Sequence, residues 1–338
     1  MDNITHSLTG LALARAGFNR FCPHATALLI LSANAPDVDI IMAARGALPY
    51  FEAHRGYTHC LLGLPVMAGI SVLVTAAIFR QRLPWLRAWA LCCIGVASHL
   101  LLDWTKSYGI RLLIPFSSRW FHLDINSLYD GAILPVLVFA ALWPLFSRLV
   151  SGEIGDRPAS GRGSAIFALV FFLLFDCGRA LMHERAVAQL ESRLYHEMPP
   201  IQTAALPDRF NPLRWTGIVE SSGSYEVLDL NALSQLNVET AETFYKPPVT
   251  PALQSASRLE PFRYFRYFAR FPLWSVQPVF GEDAQRKRVE LTDLRFGTPG
   301  AGSFHSIALE DDRNQVIASW FTFGSGSNLG WGGNNSRP

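Results

Sequence analysis

The sequence predicts a mainly α-helical membrane domain followed by a smaller extramembrane domain, α+β or mainly β in class. Three observations predict it. Half of the 338 residues are hydrophobic and only 17% are charged, below the ~25% usual for soluble domains. Long apolar runs with few charges fill the first 183 residues. From about residue 185 the composition shifts to short segments rich in β-branched and aromatic residues, punctuated by Gly, Asn and Asp.

The apolar runs are Cys60 to Phe79, Ala88 to Leu102 and Gly131 to Val150, with a fourth, Ser164 to Met182, interrupted near its end by Asp176 and Arg179. Such lengths suit membrane helices, since about 20 residues span a ~30 Å hydrocarbon core. The second run is short and needs its flanks. Basic residues favour the cytoplasm. The loop holding Arg80, Arg82 and Arg87 and the loop holding Arg148, Arg157 and Arg162 are therefore expected inside. The opposite helix ends, segment 104–130 and everything after about 183 then face outward. Met1 to Thr5 lacks a basic leader region and the next apolar stretch carries Arg15 and Arg20, so no signal peptide is expected. "HSLTGLALARAG" and "HATALLILSANAPDVD", joined by "FNRFCP", read either as a hairpin dipping into the bilayer or as a pair of interfacial or protein-buried helices.

In the second domain, expected at 184–325, "PLRWTGIVE", "SYEVLDLNAL", "KRVELTDLRF" and "QVIASWFTF" read as strands. "ALQSASRLEPFRYFRYFARF" reads as helix broken or restarted at Pro261; its arginines and aromatics suit either lipid headgroups or packing on the sheet. Residues 326–338 read as a disordered tail. The net charge of +2, with no basic stripe, gives no case for a nucleic-acid partner. Five cysteines without a CxxC, three or four of them in or beside apolar runs, read as buried small hydrophobes rather than disulfides or a thiolate zinc site. Serine-hydrolase elbows, P-loops and dinucleotide fingerprints are lacking.

Ionisable groups in apolar segments cost several kcal/mol, so those present are informative. "HLLLDW" puts His99 and Asp103 four apart on one helix face. Such a pair can hold a zinc-like ion, or the carboxylate can orient the histidine, or the two can be helix-end packing. "NAPDVD" supplies Asp37 and Asp39, as helix caps or as metal ligands. Two apart, they diverge, which favours one direct ligand over two. "HRGYTH" supplies His54, Arg55 and His59. His59 stands at the entry of the apolar run, His54 sits in a loop that Gly56 permits, and Arg55 could grip a phosphate; interfacial anchoring is the alternative. The expected topology brings His6, Asp37, His54, His59, His99 and Asp103 to one side of the membrane, where a mixed His and Asp cluster suits one to three divalent ions. His122, Asp124 and Asp130 could join from the outer loop, with Asp130 alternatively a helix cap. His24, His183, His196 and His305 read as structural.

"THSLTGLALARAG", "NAPDVD", "HRGYTH" and "HLLLDWTKSYGIRLLIPF" resemble, in this order and over roughly residues 1 to 150, the motifs of the YdjM-like family of bacterial inner-membrane proteins described as metal-dependent hydrolases. Cys60 stands where that family usually has serine. The resemblance implies a distant relation to zinc-dependent phospholipase C and S1/P1-type nucleases, hence a phospholipase C-like helical core. It implies His6, Asp37, His59, His99 and Asp103 as metal ligands, with His54 and Arg55 close by. The expected function is a multipass membrane hydrolase in the inner membrane, its C-terminal domain periplasmic. It would act through zinc on a phosphoester or lipid-type ester, with a membrane lipid or lipid-linked molecule as substrate. Asp37 or Asp39 would serve as base or metal bridge, and His54 and Arg55 would complete the site. The alternative is a non-enzymatic membrane protein whose polar cluster is structural and whose C-terminal domain binds a partner.

Overall fold

The computed structural model describes residues 2–154, 160–279, 286–299 and 301–324. Arg157 and the expected tail at 326–338 lie outside the described residues. The chain divides into two compact units that do not follow chain order. The first comprises the described parts of Met1–Asp39, Arg55–Arg185 and Pro207–Trp215; the second comprises those of Ile40–His54, Ala186–Leu206 and Thr216–Pro338.

The first unit is helical. It contains α1 (Asn3–Ala16), α2 (Ala25–Ser32), α4 (Gly63–Phe79), α5 (Trp85–Trp104), α6 (Ile133–Ile154) and most of α7 (Arg162–Glu191). Asp2 caps α1, its side chain accepting from the Thr5 backbone N–H at 3.0 Å. Leu28 and Leu29 of α2 are wholly buried with Leu91, Cys92 and Val96 of α5 and Ala68 and Val72 of α4. The N-terminal stretches form helices α1 and α2, packed against α5, and α2 with the following 3-10 segment, bent by 44°, has the length and composition of a broken span or a re-entrant loop.

Two glycines set how closely these helices approach. A Cβ on Gly10 of α1 would meet the Leu29 carbonyl oxygen at 2.7 Å, and one on Gly95 of α5 would meet Ser32 Oγ at 2.0 Å. α2 is thereby clasped between α1 and α5, which draws His6, the residues following α2 and His99 together. A second cluster joins Ala12 of α1 and Leu102 of α5 to Ile133, Leu137 and Ala140 of α6 and Ala165, Ala168 and Phe172 of α7. Among the described residues three helices, Trp85–Trp104, Ile133–Ser151 and Arg162–Glu191, are long and apolar enough to cross a membrane, or up to five spans if each of two bent helix pairs counts as one. Many side chains along them face outward, among them Leu142, Leu145, Phe167, Leu173 and Leu174, as lipid-facing helices require.

Segment 104–130 is held by backbone bridges Ile110↔Phe121 and Lys106↔Asn126. The charges that interrupt the fourth apolar run account for its anchoring. Asp176 accepts from Asn126 Nδ2 at 2.8 Å. Arg179, 2% exposed, donates to the Ile125 carbonyl at 2.8 Å and the Asp208 carbonyl at 3.2 Å, and lies over the Trp215 ring.

The second unit carries two four-stranded sheets, ordered β1 (Gln202–Pro207), β2 (Arg214–Glu220), β3 (Ser224–Asn231), β4 (Glu242–Tyr245) and β5 (Pro272–Pro278), β6 (Lys287–Asp293), β7 (Phe304–Glu310), β8 (Val316–Phe323). β3 and β4 pair antiparallel, as do all neighbours in the second sheet. Ala204, Leu206, Ile218 and Tyr225 from the first sheet meet Phe271, Leu273 and Leu294 in a common core. Pro261 stands in the first turn of α9 (Glu260–Phe268), after α8 (Pro251–Ser257) has ended, the position a missing N–H tolerates best. Phe262, Phe265 and Phe268 of α9 turn inward.

The short helix α3 (Ala47–Ala53) also belongs to this unit. Its Phe51 is wholly buried and stacks on Phe321 at 4.3 Å between centroids.

Candidate metal centre

His99 and Asp103 occupy the last turns of α5, and both are buried. Asp37 and Asp39 lie on a 3-10 segment, Ala35–Arg45. With three residues per turn, side chains two apart start about 240° from one another, yet a carboxylate oxygen of Asp37 and one of Asp39 lie within 4.8 Å of each other. His59 ends a 3-10 turn, Tyr57–His59, rather than starting α4. Cys60 is the bridge between them: the Gly63 N–H donates to its sulfur at 3.2 Å, the service a serine hydroxyl gives at a helix start.

Four ligand atoms converge, one each from Asp37, His59, His99 and Asp103, all within 4.8 Å of one another. His59 Nε2 and His99 Nε2 are 3.1 Å apart. Asp37 Oδ1 lies 3.4 and 3.6 Å from these two nitrogens, and Asp103 Oδ2 lies 3.7 and 3.6 Å from them. Four ligands placed tetrahedrally at the usual zinc distances of about 2.0–2.2 Å would have edges of about 3.3–3.6 Å. Those five edges bracket that range, and the sixth, between Asp37 and Asp103, is within 4.8 Å, so the donor set is compatible with a divalent ion.

The outer partners fix which nitrogen faces inward. His99 Nδ1 sits 2.7 Å from the Ala33 carbonyl, which only accepts, so Nδ1 carries the proton and Nε2 offers its lone pair. His59 Nδ1 lies 2.9 Å from Thr58 Oγ1, whose hydroxyl is 3.4 Å from Asp39 Oδ2; Asp39 Oδ2 is also 3.4 Å from Nδ1 itself. Asp39 thus stands behind His59, an arrangement that orients a ligating imidazole. Two lone pairs and two carboxylate oxygens then face one another, and a cation makes such a convergence favourable. The cluster could hold a metal ion.

Arg55 reinforces Asp103. Its Nη2 is 3.1 Å from Asp103 Oδ1, its Nη1 donates to the Gly109 carbonyl at 3.0 Å, and the guanidinium lies over the Tyr108 ring at 4.6 Å. Arg55 is 4% exposed. Its geometry is that of a clamp on Asp103. Arg55 also takes the left-handed backbone conformation, φ 56°, while Gly56 does not. The Asp39 carboxylate accepting from the Arg55 N–H at 3.1 Å holds that conformation in place.

Other expected site residues lie apart from the four-atom set. The His6 ring stacks on His99 at 3.8 Å between centroids, and its Nε2 is 3.6 Å from Asp103 Oδ1. Both its ring nitrogens are buried without a hydrogen-bond partner among the described residues. His54 ends α3, its ring 5.0 Å from that of Tyr50, and belongs to the other unit. His122 pairs with Asp124 at 3.1 Å. Asp130 caps α6, accepting from the Ala132 and Ile133 N–H groups. His196 and His305 pair with Glu226 and Glu290. Sequence reasoning missed Thr58, Tyr108 and the carbonyls of Ala33 and Gly109. Only Thr58 carried a signal, as a hydroxyl beside a candidate ligand.

Residues 1–185 match the family of the YdjM inner membrane protein. The chain belongs to that family. This agrees with the apolar helices in making it a membrane protein. The chain is also similar to an uncharacterized protein, YfhP, of Bacillus subtilis (strain 168), 24% identical over 320 residues, with 91% of this chain and 90% of the relative covered. No solved structure matches.

Proposed function

We propose that this membrane protein is a divalent-metal-dependent hydrolase, with zinc the ion and a phosphoester or lipid-type ester the substrate. The observation that carries the reading is the convergence of one ligand atom each from Asp37, His59, His99 and Asp103 within 4.8 Å of one another. A bound divalent ion supplies Lewis acidity there and brings the pKa of a coordinated water towards about 7. The chain's own residues do the rest. The Ala33 carbonyl and the Thr58–Asp39 relay hold two imidazoles in their ligating tautomer. Arg55 holds Asp103 aimed at the centre. The Asp37 side chain is 16% exposed, against 1% or less for the other three. Substrate and water reach the site past Asp37, and its carboxylate is placed to accept a proton there. Basic loops on the opposite helix ends favour a centre at the outer surface of the inner membrane, at lipid-headgroup level, and a periplasmic C-terminal domain. The distant relation to zinc-dependent phospholipase C that the family resemblance implies points to the same substrate class.

The test is hydrolysis of a phosphodiester and phospholipid panel by the purified full chain in detergent. Activity should vanish with chelator, return with zinc, and fall at least 100-fold in His99→Ala and Asp103→Ala variants that keep their far-UV circular dichroism. A folded, zinc-loaded protein inert on the whole panel would leave the non-enzymatic reading in its place.

A further inference from the structure

The chain leaves the helical unit after Asp39 and re-enters it at Arg55, spending residues 40–54 in the sheet unit. Both stems of this excursion carry the metal centre. Asp37 and Asp39 stand on the outgoing stem; Arg55, Thr58 and His59 stand on the returning one. The neck is closed by Asp39, which accepts from the Arg55 N–H at 3.1 Å and lies 3.4 Å from His59 Nδ1. At the far end, Phe51 is wholly buried in the sheet unit. Its ring stacks on Phe321 with 5° between planes, and Phe265 and Phe268 stand edge-on to it at 5.8 and 5.0 Å. The Tyr264 hydroxyl donates to the neighbouring Glu52 carbonyl at 3.1 Å.

We infer that Phe51 is a positioning residue for the metal centre, acting through the excursion that joins two of its ligands. The inference rests on the metal reading of Asp37, His59, His99 and Asp103. A seated Phe51 fixes the conformation of the segment between the stems. Released, that segment becomes a floppy loop, and its ordering entropy is charged against every ion bound at the neck. Linkage makes the effect reciprocal: an ion at the neck favours a seated Phe51. Seating of Phe51 thereby sets metal affinity.

Cobalt(II) titration of the full chain in detergent, followed by visible absorption, tests this independently of any activity. Phe51→Ala should weaken cobalt binding at least ten-fold. Phe51→Leu, which keeps apolar bulk but loses the ring stacking, should fall between the two and decides the matter if the alanine variant does not fold. Leu228→Ala truncates a buried core residue of the other sheet and should bind within two-fold of the unaltered chain. Unchanged affinity in the Phe51 variants, or an equal loss in Leu228→Ala, overturns the inference while leaving the metal reading intact. An unaltered chain that takes up no cobalt or zinc removes the metal reading itself, and the inference with it.

Discussion

Asp39 contributes no atom to the four-atom cluster, yet three interactions meet on its carboxylate: the Arg55 N–H, the Thr58 hydroxyl and His59 Nδ1. Removing its charge while keeping its shape isolates that service. Asp39→Asn is expected to lower metal affinity about 10- to 100-fold with the four ligands in place, measured by competition against a chromophoric chelator. Affinity equal to that of the unaltered chain would show the carboxylate to be dispensable. A second residue-scale expectation concerns Glu310 in the sheet unit. It is wholly buried, neither carboxylate oxygen has a hydrogen-bond partner among the described residues, and Lys287 stands opposite in register. Burial pushes its carboxyl up to about 7 from the ordinary 4.5. The folded state therefore holds a proton that the unfolded state has released between these values. The contribution to stability is fully present below pH 4.5 and falls as pH rises towards 7. Glu310→Gln should flatten that fall and stabilise the protein at pH 8 by about 1–2 kcal/mol, read from denaturation midpoints at pH 5 and pH 8. The sequence made the four cluster residues legible because histidine and aspartate stand out against apolar surroundings. It left the choice between Asp37 and Asp39 open, since spacing shows that two side chains diverge but not which one faces inward. The Ala33 and Gly109 carbonyls were illegible, because every residue has one.

At the scale of elements, the centre depends on how closely α1, α2 and α5 lie. The Cβ of Gly10→Ala would meet the carbonyl oxygen of Leu29 at 2.7 Å and the Leu29 carbonyl carbon at 3.0 Å, and backbone cannot swing aside as a side-chain tip can. The variant should lose about 1–3 kcal/mol of stability and shift the His6 ring relative to His99. Thermal unfolding, with the metal titration alongside, checks both; an unchanged midpoint would mean that α1 moves freely against α2. The long apolar runs announced α5, α6 and α7 through length and composition alone. Four of the eight strands were also readable, β2, β3, β6 and β8, each dense in β-branched or aromatic residues. β1 has two alanines at its centre, and β4 is only four residues long. β5 is flanked by prolines at both ends. Their pairing partners, not their own propensity, make them strands. The 3-10 geometry around Asp37 and His59 was likewise hidden, since a few residues of tight helix leave no periodicity.

At the scale of the molecule, composition marks a change near residue 185, but the compact units are interlaced. Ile40–His54 lies with the sheets and Pro207–Trp215 lies with the helices. No local pattern announces such an exchange, because each segment is short and its burial is decided by residues far away in the chain. The exchange has a consequence for any attempt to cut the protein in two. A piece ending at residue 185 would keep Arg179 but lose the Asp208 carbonyl and the Trp215 ring that it meets, leaving a buried guanidinium short of partners. It would also expose Phe51. A piece beginning at 186 would present an empty aromatic socket and nothing to fill it. Made separately, the halves should aggregate or be degraded. Made together in one cell, they should find each other and co-purify, each supplying the missing strap of the other, as a split reporter does.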